Sequence, residues 1–136
     1  MYLFDASAVV NILKRGRASA LYQGAVLDLT VYEAFNAVWK ELYLLRRIDI
    51  DTAHTYVKAL SRVFDVLPTF TVRGVESEVL KLAGELGVTF YDGSYVYTAA
   101  SRGLTLVTDD KRLSMAARKK IRVFTSTEFL AALGPF

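Results

Sequence analysis

At 136 residues, with 53% hydrophobic residues and no cysteine, the chain reads as one folded domain spanning 1–136, able to bury a core without disulfides or thiolate metal sites. No apolar run reaches membrane-spanning length, and the first apolar stretch lacks a basic leader and is broken by Asp5 and Asn11, so neither a membrane span nor a signal peptide is expected and a cytoplasmic location fits best. The net charge of +3 is compatible with a polyanionic partner without demonstrating one.

In chain order, YLF at 2–4 predicts a short buried strand that ends on Asp5 and turns at once into the helical pattern SAVVNILK. A second strand is expected over Ala25–Leu29. It leads into TVYEAFNAVWKELYLLRR, where Val31, Phe35, Val38, Trp39, Leu42 and Leu45 recur at helical spacing and define one buried face. The spacing predicts further helices from about Thr52 to Phe64, stopping before Pro68, and from Val75 to Leu86, ended by Gly87. YDGSYVYTAASRG is read as a helix opening at Asp92 and closing at Gly103. A strand over Leu104–Val107, a short helix within TDDKRLSMAARKK, a strand over Arg122–Phe124 and a last helix in STEFLAAL complete the pass. Short strands alternating with longer helices are the pattern of an α/β fold with a mainly parallel sheet.

Four acids stand near the starts of these helices: Asp5 after YLF, Glu33 three residues after Thr30, Asp92, and the pair Asp109 and Asp110 after LTLVT. Each alone has a plain explanation. Aspartate is a favoured N-cap, and TVYE matches a capping box with Thr30 as cap and Glu33 reaching back. Jointly, capping explains less, because Ser, Thr or Asn would cap as well. In a parallel sheet the carboxyl ends of the strands share one edge, where ligands bind, so acids at those junctions would converge and repel. Two charges about 4 Å apart interact by about 4 kcal/mol at an effective dielectric near 20. Mg²⁺ or Mn²⁺ would offset that repulsion and supply the chemistry of phosphodiester cleavage. His54, the lone histidine, falls mid-helix and reads as a surface or half-buried residue.

DAS at 5–7, YEAFNAVWKE around Glu33, YDGSYVYTAA at Asp92 and LVTDDKRL at Asp110 together resemble the PIN domain, and within it the VapC-type ribonuclease toxins of prokaryotic toxin–antitoxin pairs. The resemblance runs over essentially the whole chain. It implies a Rossmann-like, mainly parallel sheet flanked by helices and endonucleolytic, Mg²⁺- or Mn²⁺-dependent cleavage of RNA. The quartet it implies is Asp5, Glu33, Asp92 and Asp110, with Asp5, Asp92 and Asp110 holding metal, Glu33 serving the attacking water, and Ser7 and Thr108 as hydroxyls beside them. The family pattern Thr, any residue, Asp selects Asp110 over Asp109, which is left as a cap or a nearby charge. Asn11 is open between lining the pocket, a solvated position and a backbone contact. Gly93 stands where relatives often carry alanine and is expected to be harmless. Lys14, Arg15, Lys40, Lys111 and Arg112 are candidates for RNA phosphates. A small VapB-like antitoxin reaching into the acidic pocket and a homodimer or higher homo-oligomer are also implied, with a groove or dimer face among Tyr43, Tyr56 and Tyr95–Tyr97.

Two other chemistries fit less well. An aspartate-nucleophile phosphatase wants Asp-x-Asp after the first strand, where this chain has Ser7, and a receiver domain wants its paired acids early, whereas Asp109 and Asp110 come late. A PIN-like domain that binds RNA without cutting it is left open.

Overall fold

The computed structural model describes residues 1–135. Five strands, β1 (Tyr2–Phe4), β2 (Gly24–Leu27), β3 (Thr69–Phe70), β4 (Thr105–Val107) and β5 (Val123–Phe124), form one sheet in the order β3-β2-β1-β4-β5, and every pairing is parallel. Around it lie α1 (Ala6–Lys14), α2 (Asp28–Trp39), α3 (Ile50–Val66), α4 (Glu76–Leu86), α5 (Phe90–Arg102), α6 (Lys111–Ala117) and α7 (Ser126–Leu133). This is the mainly parallel α/β architecture expected.

The strands are apolar on both sides because both faces of the sheet are covered. Phe4, Val26 and Val107 point to a core built with Val9 and Ile12 of α1, Ala34 and Val38 of α2, Leu60 of α3 and Phe129 of α7. Their neighbours Leu3, Leu27 and Leu106 point the other way, to Tyr95, Val96 and Ala99 of α5 and Leu113 of α6. Phe129 meets both Phe4 and Tyr2 edge to face, at 5.0 and 4.8 Å between ring centroids. Such pairs contribute about 0.5–1.5 kcal/mol each beyond the area they bury. Among the described residues no helix is long and apolar enough to cross a membrane.

The boundaries depart from the sequence reading in instructive ways. β2 ends at Leu27, and Asp28 and Leu29 already belong to α2. β3, a two-residue edge strand after Pro68, was not expected; its register is held by Val26 N–H donating to the Pro68 carbonyl. The helix at Asp92 begins two residues earlier, at Phe90, with Thr89 as its cap, and it follows α4 through a short turn instead of a strand. α2 gives way at Lys40 to a π-helical turn over Lys40–Leu44, where Leu45 N–H donates to the Lys40 carbonyl. That extra residue rotates the helical face, so Trp39 and Leu45, expected in the buried stripe with Val38, are exposed.

Gly93 corrects another expectation. An added Cβ there would lie 2.8 Å from the Ala83 Cβ, so this glycine is what lets α5 approach α4. Gly93→Ala should gain about 1 kcal/mol of helix propensity and lose about 1–3 kcal/mol to overpacking. A lower urea midpoint is therefore expected, partly restored by adding Ala83→Gly.

Candidate functional site

Because all strands are parallel, the loops leaving β1, β2 and β4 open on one edge, and the start of α5 joins them there. Asp5, Glu33, Asp92 and Asp110 line one cavity of about 300 Å³ on that edge, together with Ser7, Asn36, Lys40 and Tyr95.

Asp5 is buried at the end of the central strand, and its amide continues the sheet by donating to the Val107 carbonyl. Its side chain does cap α1, Oδ1 accepting from Ala8 N–H at 2.9 Å. Capping is only part of its environment. Ser7 Oγ donates to Oδ1 at 2.7 Å and Thr108 Oγ1 donates to Oδ2. Each hydroxyl in turn accepts a backbone amide, Asp109 N–H on Ser7 and Asp110 N–H on Thr108, both at 3.0 Å. The two hydroxyls thus tie the β4–α6 loop, which carries Asp110, to Asp5. Thr108 is fully buried and reaches the cavity only through that contact.

The other acids separate capping from site. Asp110 Oδ1 caps α6 through Arg112 and Leu113 N–H, which leaves Oδ2 outside the cap bonds. Glu33 is not part of a capping box. Thr30 sits in the first turn of α2 and accepts from Leu27 N–H, while Glu33 Oε1 accepts from the Tyr95 hydroxyl at 2.7 Å. Asp92 is likewise no cap, since Thr89 takes its amide. Two of the four acids therefore have no helix-capping role.

Burial raises the Asp5 pKa to about 6, against the bonds from Thr108, Ala8 and Ser7, and the charge of Glu33 adds to the rise. Burial also raises Glu33, opposed by the Tyr95 bond and reinforced by the charges of Asp92 and Asp110. Asp92 is raised by burial and by Asp110, with Arg112 opposing. Among the described residues none of the four acids forms an ion pair. Nor are any three gathered tightly enough to hold an ion by themselves. Hard carboxylate donors with uncompensated repulsion fit a divalent ion that keeps several waters; the spacing does not fit a closed protein cage.

The remaining candidates divide. Lys40 lines the carboxylate cavity, and Arg112 lines an adjoining one that shares Asp92 and Asp110 with it. Lys14 instead pairs with Glu41, Arg15 donates to Thr127 on α7, and Lys111 lines neither cavity. Asn11 does not line the cavity either: it donates to Asp109 Oδ2 at 2.7 Å, and Asp109 also accepts from the amide and hydroxyl of Ser126. Asp109 is thus a clamp joining α1, the β4 loop and the start of α7. His54 is exposed. Sequence reasoning missed Asn36 and assigned Tyr95 to a surface groove, although Tyr95 is buried. Spacing carried the signal, with Asn36 and Lys40 three and seven residues after Glu33, and Tyr95 three after Asp92.

The sequence profile of the PIN domain matches residues 2–119. Over 133 residues the chain is 41% identical to a protein of Pyrobaculum aerophilum named Exonuclease VapC9, with 96% of each chain covered. The chain belongs to the PIN-domain family, in its VapC-type branch. The crystal structure of PAE2754 from Pyrobaculum aerophilum is similar to this PIN domain with a TM-score of 0.77 at 35% identity, covering 98% of this chain and 90% of that one.

The raised acids set a pH dependence for the metal-free protein. A folded-state pKa of about 6 against an ordinary 3.8 means that the folded form holds the Asp5 proton more tightly. The stability this confers is complete below about pH 4 and is lost as pH rises through about 6, on the order of 3 kcal/mol, with Glu33 and Asp92 acting in the same direction. In EDTA, the melting temperature of wild type should therefore fall between pH 4 and 7 relative to Asp5→Asn, whose profile should be flatter.

Proposed function

We propose that this PIN domain is a metal-dependent ribonuclease, the toxin of a toxin–antitoxin pair, which hydrolyses RNA phosphodiester bonds at the Asp5–Glu33–Asp92–Asp110 cavity. The observation that carries this reading is the convergence of four carboxylates from separate elements, unpaired with any cation among the described residues, between Lys40 on one side and Arg112 on the other. The name borne by the 41%-identical relative supports nuclease chemistry.

Asp5, Asp92 and Asp110 would hold Mg²⁺ or Mn²⁺, directly or through water. Once bound, that ion supplies a water of lowered pKa and charge stabilisation for the leaving oxygen. Glu33 orients the attacking water and accepts its proton. Ser7 and Thr108 keep Asp5 fixed and fully hydrogen-bonded, so that it cannot swing out of the cavity. Lys40 and Arg112 hold phosphates on the two sides of the scissile bond, giving register without sequence choice. The carboxylate cavity and its neighbour form a groove past Asp92 and Asp110, and a groove that a strand can cross favours internal cleavage over attack at an end.

Restraint by a small VapB-like antitoxin fits the same electrostatics, since an arginine or lysine entering the cavity satisfies the repulsion that an ion satisfies. The exposed Trp39, Tyr43, Leu44, Leu45 and Ile50 supply an apolar face for that partner or for a homodimer. A cytoplasmic location goes with an RNA substrate.

A mixed pool of single-stranded and structured RNAs, each supplied in linear and circular form, tests the reading with Mg²⁺, Mn²⁺ or EDTA. Wild type should cut circular RNA when metal is present, and Asp5→Asn should lose at least about a hundredfold in rate. Cutting of linear RNA alone would mean end-directed hydrolysis, and cutting unchanged by EDTA or by Asp5→Asn would refute the assignment.

Metal binding can be read apart from activity. Mn²⁺ should raise the melting temperature of wild type near neutral pH by relieving the carboxylate repulsion, and less so in Asp92→Asn. Calorimetric titration of both proteins checks this.

A further inference from the structure

Glu33 ends a chain of hydrogen bonds whose direction the structure determines. An ionised carboxylate only accepts, so the Tyr95 hydroxyl donates its single hydrogen to Glu33 Oε1, at 2.7 Å. The Tyr95 oxygen also lies 2.8 Å from Thr30 Oγ1; with the tyrosine hydrogen already used, Thr30 must be the donor there. Thr30 Oγ1 in turn accepts from Leu27 N–H at 3.1 Å, an amide at the start of α2 that the helix itself leaves unpaired. The order is therefore Leu27 amide, Thr30 hydroxyl, Tyr95 hydroxyl, Glu33 carboxylate.

Both intermediates are closed to water, Thr30 being 0% and Tyr95 2% exposed. Tyr95 packs between Leu27 and Val96 in the core on one face of the sheet, so its ring cannot follow Glu33 if that side chain moves. Its hydroxyl stays protonated, because burial and the Glu33 charge hold its pKa above the ordinary tyrosine value.

We propose that Tyr95, backed by Thr30, is a positioning residue that holds Glu33 Oε1 so that Oε2 faces the attacking water, an inference that rests on the nuclease reading above. In the step it serves, a water proton passes to Glu33 Oε2 and the water oxygen bonds to phosphorus. The bond from phosphorus to the leaving ribose oxygen breaks, and that oxygen takes a proton from solvent. Tyr95 keeps its own proton throughout. Without the phenol, Glu33 would sample rotamers in which neither oxygen meets the water, so the loss belongs in kcat and not in KM.

The test is a double-mutant cycle on the RNA of the mixed pool that wild type cuts fastest. Tyr95→Phe should lower kcat roughly ten- to a hundredfold with KM changed less than about twofold, and Glu33→Gln should lower kcat by about a hundredfold or more. In the Glu33→Gln background, adding Tyr95→Phe should change kcat by less than about threefold, because the group it positions is gone. From the far end of the chain, Thr30→Ser should keep a near-wild-type rate while Thr30→Val falls in the direction of Tyr95→Phe. The Thr30 pair carries the test if Tyr95→Phe does not fold by circular dichroism. A wild-type rate in Tyr95→Phe, or equal losses in both backgrounds, would overturn the relay alone and leave the nuclease standing. Cleavage that Glu33→Gln leaves intact would remove the base and the relay together, and no cleavage by wild type would overturn both this inference and the function on which it rests.

Discussion

The constraint on which this structure turns is a carboxylate buried at the end of its central strand. Asp5 cannot be ionised there without donors, and the chain supplies one amide and two hydroxyls. Those hydroxyls are themselves anchored by the amides of Asp109 and Asp110, so satisfying Asp5 also places the loop after β4. Without the central strand in register with β4, neither the loop nor its acid would reach the cavity. Stability and site geometry are here properties of one hydrogen-bond network. The residual rise in the Asp5 pKa measures how far the protein alone falls short of stabilising the charge.

Much of the fold was legible because it depends on local rules. Alternating apolar strands and helices of 3.6-residue period, stopped by Gly87 and Gly103 in left-handed conformations, account for most elements. The misses have definite causes. β3 is a two-residue strand held by pairing to β2, with no periodicity of its own. The exposure of Trp39 and Leu45 follows from one inserted residue in the helix, which no hydrophobic pattern announces. The TVYE motif misled in another way: its threonine does take part in the start of α2, but from the first helical turn, and its glutamate bonds to a tyrosine 62 residues away in sequence.

The same division holds within the site. Acids could be located by counting from strand ends, since topology brings those ends together whatever the side chains are. Which partners each acid would find could not be counted. Asn11 and Asp109 lie near the quartet in sequence yet bond to one another and to Ser126. Lys14 and Arg15 lie on α1 directly after Asp5 and Ser7, but helical rotation and capture by Glu41 and Thr127 take them away from the groove. Long-range partner choice depends on helix orientation, a tertiary quantity.

Gly93 and Ala83 show how such a quantity can govern a site from outside it. Neither residue lines the carboxylate cavity, yet their contact sets the distance between α4 and α5, and Asp92 is the covalent neighbour of one of them. Asp92 therefore inherits its position from the volume of a methyl group on another helix. Any side chain larger than alanine at 83 would act as a spacer, moving one acid relative to the three carried by other elements. The separation of the four charges is in that sense adjustable at a position that meets neither substrate nor ion.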